Sequence, residues 1–395
     1  VIPEEFSAVL VKGRSNYLCR RNLRRSLTET HTRPQRQTLL KIQAWSATSA
    51  RGDRAELTFL PEPDPLWDDI AAWSETCVGT SCEDYDACFL TRMRQEAGAA
   101  DLVIVNHHLL LADAVLRDGS QFQVIPSYDV LVLDEAHLLE DVATDFFGVE
   151  ISNLRVERLV RDAHREWTNA PTEDRSIPSQ LSRLAEASAR FFQMLDLPEG
   201  MRRLRPEALE GNCRETGREL VQALHLLHDL VQAVPGKPEG LLACARRARE
   251  QAGILQGFFD SAGEPPDTPG APPMVRWSER RGRGVFLRSS PLDVSADFRR
   301  TILESADAVI LTSATLSTAG RFDFLRSRLG ILEAREFHAA SPFDYARQAI
   351  LYIPRHLPDP RRPGFVEAAA EEIRGILEIS QGRALVLFTS LDAME

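Results

Sequence analysis

Four short apolar runs, each stopping abruptly on polar residues, constrain this chain more than any other feature. They are "DLVIVNHH" (101–108), "VLVLDEAH" (130–137), "AVILTSAT" (308–315) and "ALVLFTS" (384–390). None alternates apolar with polar, so each reads as a strand buried on both faces, as in a parallel sheet. Polar groups at the carboxyl ends of such strands are where open α/β sheets gather their sites. The fold class expected is therefore α/β with a parallel sheet.

A different period separates the second and third runs. From about Ile151 to Gly263, "NLRVERLVRDAHREW", "QLSRLAEASARFFQML", "GRELVQALHLLHDLVQAV" and "GLLACARRAREQAGILQGFF" place apolar residues at i, i+3, i+4 and i+7. "GEPPDTPGAPP" is a flexible or polyproline-like connector. "MVRWSERRGRGVFLRS" predicts a hairpin turning near 281–284. Residues 151–290 thus read as a helical insertion into the α/β domain. After "FHAASPFDYARQAILYIP", an amphipathic helix, "FVEAAAEEIRGILEIS", and the strand "RALVLFTS" would begin a second α/β domain. Near the start, a short strand in "SAVLVKG" runs into an irregular stretch, 20–100, closed by a helix around "DACFLTRMRQEAGAA".

A chain of 395 residues exceeds one typical core, so two to four units are expected. No apolar run approaches the ~20 residues of a membrane span, and no membrane association is expected. The start, "VIPEEFSAVLVKG", has neither the basic nor the apolar region of a signal peptide and reads as the middle of something longer. The end stops just after a strand, so a fragment is expected.

Net charge is −11, yet residues 11–36 hold eight basic groups against the single acid Glu29, a local net of +7. Residues 55–88 hold nine acids and no base. A local basic face can grip phosphates whatever the total charge; equally, both runs can be solvated loops. Of six cysteines, Cys19, Cys77, Cys82 and Cys88 fall in the first quarter, the last three spaced C-x4-C-x5-C. Clustered thiols without an export signal suggest a metal or a cluster rather than disulfides. Chemistry alone leaves zinc and an iron–sulfur cluster open. Cys213 and Cys244 sit in helical patterns and read as core residues.

Asp134 and Glu135 end the strongest run. In P-loop NTPases an Asp there helps hold Mg²⁺ at the nucleotide phosphates, and a neighbouring carboxylate can polarise the attacking water. Such a site needs a phosphate loop, G-x-x-x-x-G-K-[ST]. The only lysines are Lys12, Lys41 and Lys237, and none stands in that context. The carboxylates read as half of an active site, and this chain is expected to hydrolyse ATP poorly or not at all.

At D-E-A-H the sequence resembles a family, the superfamily 2 DNA helicases of the iron–sulfur XPD/DinG type. "VLVKGRSNYLC", "CVGTSCEDYDAC", "DLVIVNHHLLLAD", "VLVLDEAH", "AVILTSATLS" and "ALVLFTS" follow in the family's order, and the cysteine spacing is nearest the bacterial DinG branch. The resemblance implies a RecA-like P-loop NTPase helicase core with an iron–sulfur insertion and a helical arch insertion. Its segments would be helicase domain 1 at 1–14, 101–150 and 291–335, the cluster domain at 15–100, the arch at 151–290 and the start of helicase domain 2 at 336–395. It implies a [4Fe–4S] cluster held by Cys19, Cys77, Cys82 and Cys88, with ATP and Mg²⁺ as the other cofactors.

By the same resemblance, Asp134 would position Mg²⁺ and Glu135 would activate water. His137, Ser313, Ala314 and Thr315 would couple the nucleotide's state to DNA. Asn106, His107 and His108 are read as structural or DNA-lining. Lys12, Arg14 and Tyr17, with the arginines at 20–25 behind them, are the DNA-binding candidates, because phosphate grip with an aromatic partner holds single strands. The Arg-rich hairpin at 276–288 is a second candidate. The full protein would be a monomeric, cytoplasmic, nucleoid-associated ATP-dependent helicase moving 5′→3′ on single-stranded DNA and opening forked or junction DNA in repair or replication. Two alternatives stay open: a DinG-like nuclease with a helicase-like core, and a non-enzymatic DNA-binding module with structural zinc.

Overall fold

Parallel strand pairing organises the fold at two places, and each pair is interrupted by a long excursion of the chain. The computed structural model describes residues 5–119, 123–168, 175–195, 197–260, 273–388 and 394. It divides into two units, Val1–Ala334 and Arg335–Glu395.

In the first unit, β1 (Ala8–Leu10) is followed by α1 (Arg20–Thr28), α2 (Arg33–Thr48), α3 (Pro65–Ile70) and α4 (Phe89–Ala99). The chain then returns as β2 (Leu102–Ile104), parallel to β1 with Ala8 opposite Leu102. Local signals start these helices. Asp64 accepts the Leu66 N–H at 2.8 Å, with Pro65 as the first helical residue of α3. Gln35 Oε1 accepts the Thr32 N–H at 3.1 Å ahead of α2. Leu18, Leu39, Ile42, Trp67, Ile70 and Phe89 form a core of their own for this excursion.

After β2 come α5 (His107–Gly119), β3 (Val130–Leu133) and α6 (Leu139–Phe146). The second excursion holds β4 (Val149–Ser152), α7 (Asn153–Thr168), α8 (Ser176–Met194), β5 (Gly200–Arg203), α9 (Asn212–Ala233), α10 (Glu239–Asp260), β6 (Met274–Arg281) and β7 (Gly284–Pro291). Next are α11 (Ser295–Thr301) and β8 (Ala308–Leu311), which pairs in parallel with β3, and then α12 (Asp323–Leu329). The four long helices bury one continuous apolar face. Phe191 sits at its centre, edge-on to Phe192 and Phe259 with centroids 5.0 and 6.0 Å away. Gly217 permits this, since a Cβ there would collide with the Phe259 ring.

The expected hairpin is β6–β7, with Arg281 opposite Gly284. It belongs to a four-stranded antiparallel sheet in the order β4-β7-β6-β5, whose two outer strands the helical reading of this region did not anticipate. Both are only four residues long, too short to show a period. The Pro-rich connector, 263–273, lies outside the described residues except for Pro273.

The parallel strands differ from expectation in burial. Leu10, Leu102, Ile104, Val130, Val132 and Ile310 are all 45–59 % exposed, while Val9, Val103, Leu131 and Val309 pack into the α/β core. Each ribbon is therefore covered on one face among the described residues, although its sequence is apolar on both.

The second unit holds α13 (Tyr345–Gln348) and α14 (Phe365–Ser380), the latter with no buried residue. The expected strand "RALVLFTS" is not found at 383–388, and its last two residues lie outside the described residues. Among the described residues, no helix is long and apolar enough to cross a membrane.

Candidate active site and cysteine cluster

The pairing of β3 with β8 brings together residues almost 180 positions apart. Leu133 accepts the Thr312 N–H at 2.8 Å, and Thr312 accepts the Ala136 N–H at 3.0 Å, so the ladder continues past both strand ends. For Ala136 to reach back, Glu135 takes a left-handed backbone, φ 49°. A non-glycine residue in that region is strained, and such strain clusters at functional turns. The turn directs Glu135 Oε2 towards the Ser313 hydroxyl, which donates to it at 3.2 Å. His137 Nδ1 stands 2.8 Å from Ser313 Oγ and 3.3 Å from Glu135 Oε2. Asp134 Oδ1 accepts the Glu135 N–H at 2.9 Å.

Asp134, Glu135, His137 and Ser313 thus share one sheet edge. Thr315 adds its backbone N–H to Ser313 Oγ at 3.2 Å, and Ala314 lies exposed in the same turn. A serine has one hydroxyl hydrogen. If it is given to Glu135, His137 must carry its proton on Nδ1 and donate to Ser313. Behind this edge, Arg328 of α12 donates from Nε to Glu140 of α6 at 2.6 Å. That pair and the Thr312 carbonyl were not singled out in the sequence, where no spacing marks them. Asn106 caps α5, its Oδ1 accepting the Leu109 N–H at 2.9 Å.

The four clustered cysteines are free thiols set around two helix starts. Cys19 is the N-cap of α1 and Cys88 the N-cap of α4. Burial pushes the Cys19 thiol up to about 11; the Asn22 N–H pulls it down, and the fields of Cys88, Cys77 and Cys82 push it further up. Cys82 is likewise raised, first by burial, against the Asp84 N–H. The four sulfurs therefore sit within one another's fields. Among the described residues no group of three or more His, Cys, Asp or Glu closes round a single ion.

One neighbour stands out. Arg94 Nε is buried without a hydrogen-bond partner, and burial lowers the guanidinium's pKa, as does nearby Arg14, against the thiols of Cys77 and Cys88. A buried Nε–H without a partner costs free energy that an acceptor placed there would recover.

The DNA-binding candidates differ in how far they are free. Tyr17 is 3 % exposed, with its hydroxyl accepting the Lys12 N–H at 3.2 Å, so it offers no face to a base. Lys12 Nζ is ion-paired with Asp53 at 2.6 Å. Only Arg14 of the three has no hydrogen-bond or ion-pair partner among the described residues. The arginines at 20–25 are also engaged: Arg20 with the Ala87 and Ser46 carbonyls, Arg21 and Arg25 with Glu166, and Arg24 with Asp84. Lys12, Arg21, Arg24 and Arg25 thus meet acids brought from distant segments. In the hairpin, Arg288 pairs with Glu150 and Glu279, while Arg283 is 82 % exposed.

Residues 69–156, which include the Asp-Glu-Ala-His strand end, match the DEAD_2 family. The chain is a relative of the DinG/XPD-type DNA helicases. It is 30% identical to the ATP-dependent DNA helicase YoaA of Escherichia coli K12 over 97% of this chain and 59% of that protein. It is also 30% identical to the ATP-dependent helicase DinG of Mycobacterium tuberculosis H37Ra, over 99% of this chain and 60% of that protein. The chain thus spans about three-fifths of the length of these relatives. Among solved structures it is similar to a truncated XPD, with a TM-score of 0.38 and 11% identity over 85% of this chain and 80% of that one.

Proposed function

We propose that this chain is part of an ATP-dependent DNA helicase that couples hydrolysis to 5′→3′ movement along single-stranded DNA and opens forked or junction DNA. The observation carrying this reading is the meeting of Asp134, Glu135, His137 and Ser313 at the carboxyl ends of β3 and β8. Asp134, exposed at the strand end, would hold Mg²⁺. Glu135 would orient and deprotonate the attacking water. Ser313 and His137, linked to Glu135 by hydrogen bonds, would move when that carboxylate's surroundings change, and so pass the nucleotide's state to the turn holding Ala314 and Thr315.

The remaining parts of the reading follow the same order. The two parallel ribbons, apolar on faces left open, fit a RecA-like sheet whose other layers belong to the longer protein. Segments 1–14, 101–150 and 291–335 would form helicase domain 1; 15–100 the cluster domain; 151–290 the arch; and 336–395 the start of domain 2. The fit of a [4Fe–4S] cluster rests on the donor set. Cys19 and Cys82 are both raised by burial and by neighbouring thiols, the Asn22 and Asp84 N–H groups point at these two sulfurs, and the buried Arg94 Nε has no hydrogen-bond partner among the described residues, close to Cys77 and Cys88. Such a cluster would bind thiolates through its iron and would tie the turn at Cys19 to the 77–88 stretch. Cys19, Cys77, Cys82 and Cys88 would hold it.

The test uses a protein extended to the length of its relatives. Its ATP hydrolysis should require Mg²⁺ and rise with single-stranded DNA, and Glu135→Gln should lower it by about 10²–10⁴-fold while leaving ATP binding intact. This chain alone should hydrolyse ATP poorly or not at all. DNA-stimulated hydrolysis that survives Glu135→Gln would sink the assignment.

A further inference from the structure

The cysteine unit and the helical bundle share no hydrophobic core, since no residue of one apolar cluster appears in the other. What joins them is charge. Glu166, near the end of α7, is 5 % exposed, and both its oxygens are taken by α1. Arg21 Nη2 donates to Glu166 at 2.9 and 3.0 Å, and Arg25 Nη1 donates at 2.7 Å. The two arginines are one turn apart, so they face the same way from one helix. Around them, Arg165 pairs with Glu29 at 3.0 Å and Asp69 at 3.4 Å, and the Arg158 guanidinium lies 4.8 Å over the Trp73 ring.

Arg21 is the informative member. It stands two residues after Cys19, and its Nη1 donates to the Thr76 carbonyl at 3.2 Å, the residue before Cys77. One guanidinium therefore touches the segments of two clustered cysteines and the carboxylate of the bundle. On the other side, the Glu166 carboxylate packs onto Gly240 in the first turn of α10, where a Cβ would collide with it. Asp162 of α7 also pairs with Arg247 of α10 at 2.8 Å, both nearly buried. Glu166 is thus held between α1 and α10 with no room to swing.

We propose that Glu166 is a coupling residue: it locks α7 of the helical bundle to the helix that begins at Cys19, so the bundle's outer wall is held only while the cysteine site is filled. The proposal rests on the metal reading of the four cysteines. Its reasoning is mechanical. A filled site pins Cys19 and Cys77, which pins Arg21; a pinned Arg21 and Arg25 keep a buried carboxylate compensated, and a buried carboxylate without partners will not stay where it is. An emptied site frees α1, and with it the two arginines that ion-pair with Glu166 among the described residues.

Hydrogen–deuterium exchange of the whole chain, metal-loaded and chelator-stripped, tests this. Stripping should raise exchange in α1 and, about tenfold or more, in the C-terminal half of α7, while α8 and α9 stay protected as an internal control. In Glu166→Gln, α7 should exchange fast already when loaded, and stripping should add little. Gly240→Ala should do the same with the charge intact, by crowding the carboxylate out. If α7 in the unaltered chain exchanges equally in both states, or if Glu166→Gln and Gly240→Ala leave its response to stripping unchanged, the coupling does not exist. Iron, sulfide and zinc analysis of the loaded chain reports separately on the metal reading, since either metal would pin Cys19.

Discussion

Ser313 Oγ lies 2.8 Å from His137 Nδ1, although 176 residues separate them in the chain. The same oxygen accepts the Thr315 N–H and donates to Glu135, so it is a node with one hydrogen to give and three partners. Removing it takes away the link through Ser313 and leaves only the direct approach of His137 Nδ1 to Glu135 Oε2 at 3.3 Å. In the extended protein, Ser313→Ala should leave ATP binding unchanged and cut the stimulation of hydrolysis by single-stranded DNA about tenfold, the weight of one to one and a half kcal/mol of hydrogen bonding. Ser313→Thr should restore it. Steady-state ATPase with and without oligonucleotide reads this directly.

The cysteines divide by role. Anaerobically purified chain should be brown, with iron and sulfide near four each, as the [4Fe–4S] stoichiometry requires, and Cys19→Ser should bleach it. Cys213→Ser should keep the colour, since Cys213 belongs to the bundle core. A colourless protein carrying one zinc would replace the cluster with a structural zinc.

Burial alone pushes the Cys213 thiol up to about 11. It pushes Cys244 up to about 12, with Asp162 and Glu166 adding to the rise and Arg247 opposing it. A raised thiol pKa means the folded state prefers the protonated form. The stability this gives is whole below the ordinary value of 9.0 and is lost as pH climbs towards about 12. Urea midpoints should therefore fall between pH 8 and 11 for the unaltered chain, and fall less steeply for Cys244→Ala. Parallel curves would mean that Cys244 ionises freely.

Phe191→Ala should destabilise the helical bundle by about 3–5 kcal/mol, because a fully buried ring with two edge-on aromatic neighbours leaves a cavity that helices cannot close. Thermal unfolding followed by circular dichroism would show an earlier bundle transition. The visible absorbance of the cysteine site should survive below that transition, since Phe191 lies in the other core.

The sequence carried the strands that end at Ile104, Leu133 and Leu311 and the long helices between the second and third of them, because each is a local pattern of apolar period and polar ending; it did not carry 384–390, which is not a strand over its described residues. It left the basic stretch open. Eight cations within 26 residues look like a phosphate-binding face, yet Arg21, Arg24 and Arg25 are spent on Glu166 and Asp84, and Lys12 on Asp53. It also offered Tyr17 as a candidate stacking ring, and the fold buries that side chain. Ion pairing between segments leaves no mark in local composition, so such a run can be read as either a binding face or a seam.

By itself the sequence determined the α/β class, the order of motifs and the residue types at the strand ends, since period and side-chain chemistry are properties of short segments. Only the tertiary structure decided that Glu135 turns left-handed, that Ser313 meets His137, that Arg94 stays unpartnered and that Glu166 joins two separate cores. Those facts depend on which distant segments the parallel pairings bring together, and register between strands so far apart is set by packing.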